Sequence, residues 1–451
     1  MNEQQYDCII IGGGPGGYLA AERAGAAGLK VLLCEERELG GVCLNEGCIP
    51  TKTLLNAAKL YHHARSSEQF GVHCEGVRFD LSEIMAWKQK VIETQRKGIA
   101  FQMKQHGVET VQARAVLSGP KTVEAAGRSF SAKNIIVASG SSAVRLPIPG
   151  ADKPTVLTNR EILEIDTLPQ SLAIIGGGII GIEFATFFSR VGVEVAVVEL
   201  LPEIAPSLDK KLASGLRKAL PDVKFHLNSE VRKIDGRTVT FLRAGKEETL
   251  EAELVLMSVG RRPNCAGLGL EKAGVEFSRT GIAVGEKMET NVPGIYAVGD
   301  VTGKSLLAHS AYRMAEVAVN TILGRPDRMR YTAIPYVVYS DPEIASVGLS
   351  EAEAGEQGLE VKTAELLMRS NGRYLAEKGL DKTTRGFCRL VVEAPSERLL
   401  GVQMMGSPAS EMIFGAAAMI EAELRVQDMQ EIVFPHPTVS EIIKEALFAL
   451  K

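Results

Sequence analysis

Cys43 and Cys48 stand five residues apart in the stretch GGVCLNEGCIPTK, residues 40–52, and two thiols so placed could exchange electrons or hold a metal. In a regular α-helix, positions i and i+5 are separated by about 7.5 Å of rise and roughly 140° of rotation, so their Cα atoms lie on the order of 8.6 Å apart. A disulfide needs those atoms within about 7 Å. Pairing therefore demands a bent chain. Asn45, Gly47 and Pro50 supply one, Pro50 by removing an N–H that would bond the carbonyl of Glu46. A bent closure of this kind would be readily reduced. Two buried free thiols, or half of a zinc site at C-x4-C spacing, are the competing readings. Cys8, Cys34, Cys74, Cys265 and Cys388 are scattered singly without a His-x-x-x-His pattern nearby, so zinc lacks further ligands and no metal is expected.

The elements that must position such a pair come as a repeat. CIIIGGGPGGYLAAERAGAAGLKVLLCEE from Cys8 and AIIGGGIIGIEFATFFSRVGVEVAVVEL from Ala173 superpose at a constant offset of 164 residues. Gly12, Gly14 and Gly17 match Gly176, Gly178 and Gly181, and Glu35 matches Glu199. Each copy reads as strand, glycine turn, helix, strand and terminal acid. The first glycine allows the tight turn, the second lets the backbone approach a pyrophosphate, and the third lets the helix pack on the strand. Phosphates then meet the N–H groups of the helix start while the acid takes a ribose hydroxyl. Two complete copies point to two bound dinucleotides. In the second, Glu199 is followed by Leu200, Leu201 and Pro202, with no basic residue before Lys210, which favours NAD over NADP.

Length and composition bound the rest. A chain of 451 residues suggests about three domains, and a formal net charge of −4 argues against nucleic acid or an anionic membrane as main partner. MNEQQYD runs straight into the strand-like CIII with no basic segment and apolar stretch before it, so neither secretion nor membrane insertion is expected. Seven unpatterned cysteines suit a reducing compartment, a bacterial cytoplasm or an organelle matrix.

Two dinucleotide folds with a C-x4-C pair after the first make the chain similar to the flavin-dependent pyridine nucleotide-disulfide oxidoreductases, and within them to the dihydrolipoamide dehydrogenases. The likeness runs through GGGPGGYLAA, GGVCLNEGCIPTK, GGGIIGIEFA, VGRRPN at 259–264, TNVPGIYAVGD at 290–300, LLAHSAYRMAE at 306–316, DPEIASVG at 341–348 and HPTVSE at 436–441. It implies an α/β architecture of two Rossmann-like domains plus a central segment and an α+β dimerisation domain. The expected divisions are residues 1–145 for FAD with the redox disulfide, 146–265 for NAD, 266–332 completing the FAD site and 333–451 for the homodimer. The tail, from YVVYSDPEIASVGLS through GFCRLVVEAPSERLLGVQMMG, suits an antiparallel sheet with helices. Some relatives carry an N-terminal lipoyl domain; this chain, starting at the FAD strand, is read as having none. By the same likeness Gly140, Asp300 and Ala308 join Gly12, Gly14, Gly17, Glu35 and Lys52 around FAD, and Gly260 joins Gly176, Gly178, Gly181 and Glu199 around NAD.

Thiol–disulfide exchange needs a base, since only thiolates attack. His436 in PHPTVSE is the candidate, whereas His62, His63, His73, His106, His226 and His309 have no obvious chemical partner, although His309 in LLAHSAY belongs to a family-like stretch. Glu441 has two readings. T-V-S-E makes a capping box with Thr438 as N-cap and Glu441 at N3; the resemblance instead bonds Glu441 to the ring of His436, orienting it as a base. Relatives often read H-A-H-P-T where this chain has Phe434 in place of the first histidine. The resemblance also pairs Lys52 with Glu183 beside the flavin, and Leu19, the counterpart of Glu183 in the first repeat, shows that the fold itself does not demand an acid there. Glu46, where relatives commonly have an apolar residue, is expected to add a negative charge between the thiols.

The implied reaction is oxidation of protein-bound dihydrolipoamide, with Cys43 exchanging, Cys48 facing the flavin and NAD as final acceptor. Lipoyl-bearing proteins of 2-oxo acid dehydrogenase complexes or of glycine cleavage would be the partners. A glutathione-type reductase shares the cysteine pair and HPT-x-x-E, but Glu199, CLNEGCIPTK and the lack of an arginine pair after the second repeat stand against it. Mercuric and thioredoxin reductases would add a C-terminal thiol pair, and no cysteine follows Cys388. A redox sensor that turns over little is the reading from a different class, and intact Cys43, Cys48 and His436 weigh against it.

Overall fold

The computed structural model describes residues 4–379 and 386–450. Its two parallel sheets grow from the repeated unit. Gln4–Ile11 and Val31–Glu35 carry continuous apolar runs, the pattern of strands covered on both faces, and pair in parallel with Cys8 opposite Val31. Helix α1 (Pro15–Ala26) connects them and buries Gly17, Ala20, Ala21 and Ala24. In spatial order the parallel strands are Glu109–Gln112, Val31–Glu35, Gln4–Ile11 and Arg128–Val137. Beyond Arg128–Val137, the hairpin Ala115–Gly119 and Thr122–Ala125 pairs with its first half and Ile295–Ala297 with its second. That last strand lies in TNVPGIYAVGD, so the chain returns after its second repeat to complete the first sheet.

The second sheet is built on the same plan, its five parallel strands ordered Val223–His226, Glu194–Val198, Ser171–Ile175, Leu254–Met257 and Val156–Leu157. Helix Ile179–Arg190 is the crossover. The glycines divide their roles identically in both copies. Gly12 and Gly176 hold φ of +104° and +101°, and a Cβ on them would lie 2.3 Å from the Ala138 carbonyl oxygen and 2.6 Å from that of Ser258. On Gly17 and Gly181 a Cβ would lie 1.7 Å and 2.2 Å from the carbonyl oxygens of Gly12 and Gly176. The middle glycines face open space: the nearest atom to a Cβ on Gly14 is 3.8 Å away, and none lies within 4 Å for Gly178.

The C-terminal sheet is antiparallel throughout, in the order Tyr336–Val338, Ile344–Gly348, Leu399–Met405, Phe387–Glu393, Val361–Leu367, as the pattern of the tail leads one to expect. Helices Ala409–Glu421 and Glu441–Phe448 cover it, closing a core around Leu390, Val402, Met404, Ile413 and Ile442. This part of the chain also turns large apolar side chains outward: Phe414, Val433 and Phe448 are exposed. Among the described residues no helix is long and apolar enough to cross a membrane.

Replacing Gly17 by alanine sets a methyl against a backbone carbonyl that cannot yield. We expect a loss of roughly 3 kcal/mol or more of stability in flavin-free protein, against less than about 1 kcal/mol for Gly14→Ala, read from denaturant unfolding midpoints.

Candidate active site

The cysteines lie on two helices rather than one. Helix α2 (Gly41–Glu46) carries Cys43, the chain breaks at Gly47 with φ −145° and ψ −109°, and Cys48 opens helix α3 (Cys48–Arg65). A Cβ on Gly47 would lie 3.0 Å from the carbonyl oxygen of Val42. Pro50 falls in the first turn of α3, where a missing N–H costs no helical bond. Asn45 fixes the turn from within: its Nδ2 donates to the carbonyls of Gly41 (2.8 Å) and Leu39 (3.1 Å), and its Oδ1 accepts from Arg96 at 2.8 Å. Both cysteines are present as thiols, within hydrogen-bonding reach of each other.

Glu46 corrects an expectation. Its carboxylate does not stand as a bare charge between the thiols, because it is buried and ion-paired with Arg37 and with Arg160, whose Nε is 2.6 Å away. Its carbonyl accepts from Asn159 at 2.7 Å. Arg37 follows the strand Val31–Glu35 and Asn159–Ile162 is a short helix before the second repeat, so the turn is tied to both nucleotide-binding halves.

Behind the thiols, Lys52 Nζ lies 2.8 Å and 3.0 Å from the two carboxylate oxygens of Glu183. The pairing that the resemblance implied is present, across 131 positions. Glu183 is buried and also accepts from the backbone N–H of Tyr339 at 3.1 Å, while the Tyr339 ring lies 4.5 Å from the Lys52 ammonium. Burial alone would pull the Lys52 ammonium down, but Glu183 and Cys48 outweigh it and hold it above its usual value. Lys52 sits one helical turn after Cys48. The hydrogen bond from Cys43 and the Lys52 charge, opposed by burial and Glu183, bring the Cys48 thiol down to about 7. The same hydrogen bond, with burial, pushes Cys43 up. One negative charge on the pair thus rests on Cys48.

The nucleotide loops show the same acid geometry twice. Glu35 accepts from the N–H of Gly13 at 2.6 Å and of Arg37 at 2.8 Å; Glu199 accepts from Gly177 at 2.5 Å and Leu201 at 2.8 Å. With the uncovered faces of Gly14 and Gly178, these loops fit dinucleotides. Asp300, in the one-turn helix Gly299–Thr302, accepts from Ser141 Oγ at 2.5 Å and lies 3.9 Å from Arg261 Nε. Burial pushes its carboxyl up, and Ser141 and Arg261 oppose the shift. Gly140, at φ +69°, adjoins Ser141, Gly260 at φ +109° adjoins Arg261, and Ala308 opens helix Ala308–Ile322. Ser141, Arg261 and Tyr339 escaped the sequence reading; VGRRPN signalled Arg261, whereas nothing local signals a backbone N–H from Tyr339.

His436 is not gathered into this cluster. Its Nδ1 lies 2.9 Å and 3.2 Å from the oxygens of Glu441, and its side chain is 81% exposed. Because a carboxylate only accepts, Nδ1 carries the proton and Nε2 is free to take one. The N–H of Thr438 donates to Glu441 at 2.8 Å, and that bond, then His436, holds the carboxyl below its usual range. Of the two readings of Glu441, the bond to His436 is present and the capping box only in its backbone half: the helix begins at Glu441 with Ser440 as N-cap, and Thr438 Oγ1 turns to Pro435 and Ser440. Phe434 packs against the C-terminal core with Lys444 over its ring, and His309 Nε2 lies 2.9 Å from the Pro335 carbonyl. Among the described residues no hydrogen bond or ion pair joins His436 to Cys43, Cys48, Lys52 or Glu183.

Residues 6–315 match the family described as pyridine nucleotide-disulphide oxidoreductase, and residues 334–447 match its dimerisation domain. The chain belongs to the pyridine nucleotide-disulphide oxidoreductase family. It is 38% identical to the dihydrolipoyl dehydrogenase of Bacillus subtilis over 98% of this chain and 95% of that one. With the mitochondrial dihydrolipoyl dehydrogenase of Dictyostelium discoideum it shares 37% over 99% and 94%. The crystal structure of LpdA from Mycobacterium tuberculosis superposes with a TM-score of 0.90 at 27% identity, over 99% of both chains. The HOCl-induced flavoprotein disulfide reductase RclA from Escherichia coli gives 0.87 at 26%, over 99% of this chain and 100% of that one. As a member of this family the protein is a flavoprotein disulfide oxidoreductase using FAD and NAD, and its dimerisation domain makes it a homodimer.

In the dithiol state, alkylation by iodoacetamide should rise with pH through a midpoint near 7, because the depressed thiol is a thiolate above that value. Lys52→Met removes the stabilising cation and should move the midpoint up by about one unit or more.

Proposed function

We propose that this protein oxidises dihydrolipoamide groups carried on lipoyl-bearing proteins, with NAD as the final electron acceptor. The observation that carries the reading is the asymmetry of the thiols: Cys43 lines a cavity of about 370 Å³, and Cys48, equally half-buried, does not line it and is the thiol that the Lys52–Glu183 pair acts on. The dihydrolipoyl dehydrogenases at 36–38% identity over nearly the whole chain support the same reading.

His436 is exposed and joined to neither thiol of its own chain among the described residues. In the oxidised enzyme, which carries the Cys43–Cys48 disulfide, Nε2 of His436 of the partner subunit therefore takes the proton from one substrate thiol. The resulting thiolate attacks Cys43 Sγ, the Cys43–Cys48 bond breaks, and Cys48 leaves as a thiolate held by Lys52. The second substrate thiol attacks the substrate sulfur bonded to Cys43 and closes lipoamide; its proton passes to Cys43, released as a thiol, while the imidazole keeps the proton taken from the first thiol. FAD, when bound, would supply the two-electron chemistry by which NAD is reduced. Glu441 orients the imidazole throughout. Gly12, Gly14, Gly17, Glu35, Gly140, Asp300 and Ala308 hold FAD, and Gly176, Gly178, Gly181, Glu199 and Gly260 hold NAD. The division at residues 1–145, 146–265, 266–332 and 333–451 goes with these roles, as does a bacterial cytoplasm or organelle matrix, where lipoyl-dependent complexes work.

Purified FAD-loaded dimer should form NADH rapidly from dihydrolipoamide and NAD, and show no oxidation of NADPH by glutathione disulfide. Absence of the first activity in protein with bound FAD and a reducible cysteine pair would overturn the assignment.

A further inference from the structure

The cavity beside Cys43 is formed where α1, the cysteine turn, helix α4 (Leu81–Gln105) and helix Ala308–Ile322 meet. Tyr18 and Tyr312 form one part of its wall together, their hydroxyls hydrogen-bonded at 2.5 Å, and burial pushes both phenols up. Gln95 and Gln102, seven residues apart and so on one face of α4, add amides to the wall. Among the described residues that line it, Glu22 alone carries a charge. Its ion-pair partner, Arg23 at 2.8 Å, is half exposed and does not line the cavity. Glu22 follows Tyr18 by four positions on α1, which sets the two side chains about 6 Å apart along one helix face.

A dithiol whose sulfur meets Cys43 at the tyrosine pair and whose chain follows α1 therefore brings its far end to Glu22. A free acid would set carboxylate against carboxylate. An amide brings instead an N–H that Glu22 accepts, and its carbonyl is matched by Gln95 or Gln102. We propose that Glu22 is a charge filter that makes the site select lipoyl groups in amide linkage, as on a protein lysine, over free carboxylate-bearing dithiols. The inference rests on the reading of the protein as a dihydrolipoamide oxidase and adds the residue that sets its substrate charge.

The test compares kcat/KM for dihydrolipoamide and free dihydrolipoate on the FAD-loaded dimer, at low and high ionic strength, in wild type, Glu22→Gln and Glu22→Asp. Like charges a few ångströms apart in a partly exposed site imply a preference for the amide of about tenfold. Glu22→Gln should remove it by lowering KM for the acid rather than by changing kcat, Glu22→Asp should keep it, and salt should erode it in wild type by screening. A merely structural role for Glu22 would lower both substrates together. A wild-type ratio near unity, or a ratio that neither salt nor Glu22→Gln moves while dihydrolipoamide is still turned over, would overturn the filter alone. If wild type oxidises neither dithiol, the dihydrolipoamide reading falls and the filter with it.

Discussion

The rest of the site depends on the buried ion pair between Lys52 and Glu183. An ammonium and a carboxylate taken out of water cost free energy that their attraction recovers only with good geometry and further hydrogen bonds. Here the carboxylate receives both the ammonium and the Tyr339 N–H. A pair of apolar side chains could fill the same space at no loss of stability, so the charges are best understood by what they do to a neighbour. Lys52 lies one helical turn from Cys48 and favours that sulfur as thiolate, and Glu183 keeps the ammonium charged despite burial. Lys52 comes from the cysteine turn, Glu183 from the helix of the second nucleotide unit and Tyr339 from the C-terminal sheet region, so one interaction locks three parts of the chain around the reactive sulfur.

The same economy governs the turn itself. Gly47 divides what would be one helix into two, and this lets sulfurs that a straight helix would hold apart come within hydrogen-bonding reach. Glu46 then joins the turn to both nucleotide units through Arg37 and Arg160. The glycine loops follow a parallel logic: packing claims the first and third glycines of each repeat, leaving the middle one as uncovered backbone for a ligand to approach. The repeat therefore does not merely resemble a nucleotide-binding unit. It has the space that such a unit needs.

Much of this was legible because it is local or repeated. The glycine spacing, the terminal acids Glu35 and Glu199, the bend at Gly47 and the strand-like runs of the tail are written within short windows, and each reappears in the structure. Lys52 with Glu183 and His436 with Glu441 were reached through resemblance, since no local pattern joins positions 52 and 183. What stayed hidden depends on chain segments that only folding brings together. The arginines that neutralise Glu46 lie 9 residues before it and 114 after it, and Tyr339 contributes a backbone group that every residue but proline has. T-V-S-E fits a capping box in sequence, with the helix opening after Thr438, whereas the demands of His436 for a carboxylate and of Thr438 for an acceptor are met together by a helix that begins two residues later.

The exposed ring of His436, held by Glu441 but unconnected to the cysteines of its own chain, points to a site completed by the second subunit, and Val433 beside it is 88% exposed on the same domain. The central claim is thus a dithiol oxidation shared between subunits, and mixing two inactive variants tests it most directly. Cys48→Ser and His436→Gln homodimers are each unfolded, refolded together with FAD, and assayed for NADH formation from dihydrolipoamide and NAD. The account predicts that mixed dimers regain activity, since each holds one intact cysteine pair facing one intact histidine. Mixed dimers that form but remain as inactive as their parents would contradict it.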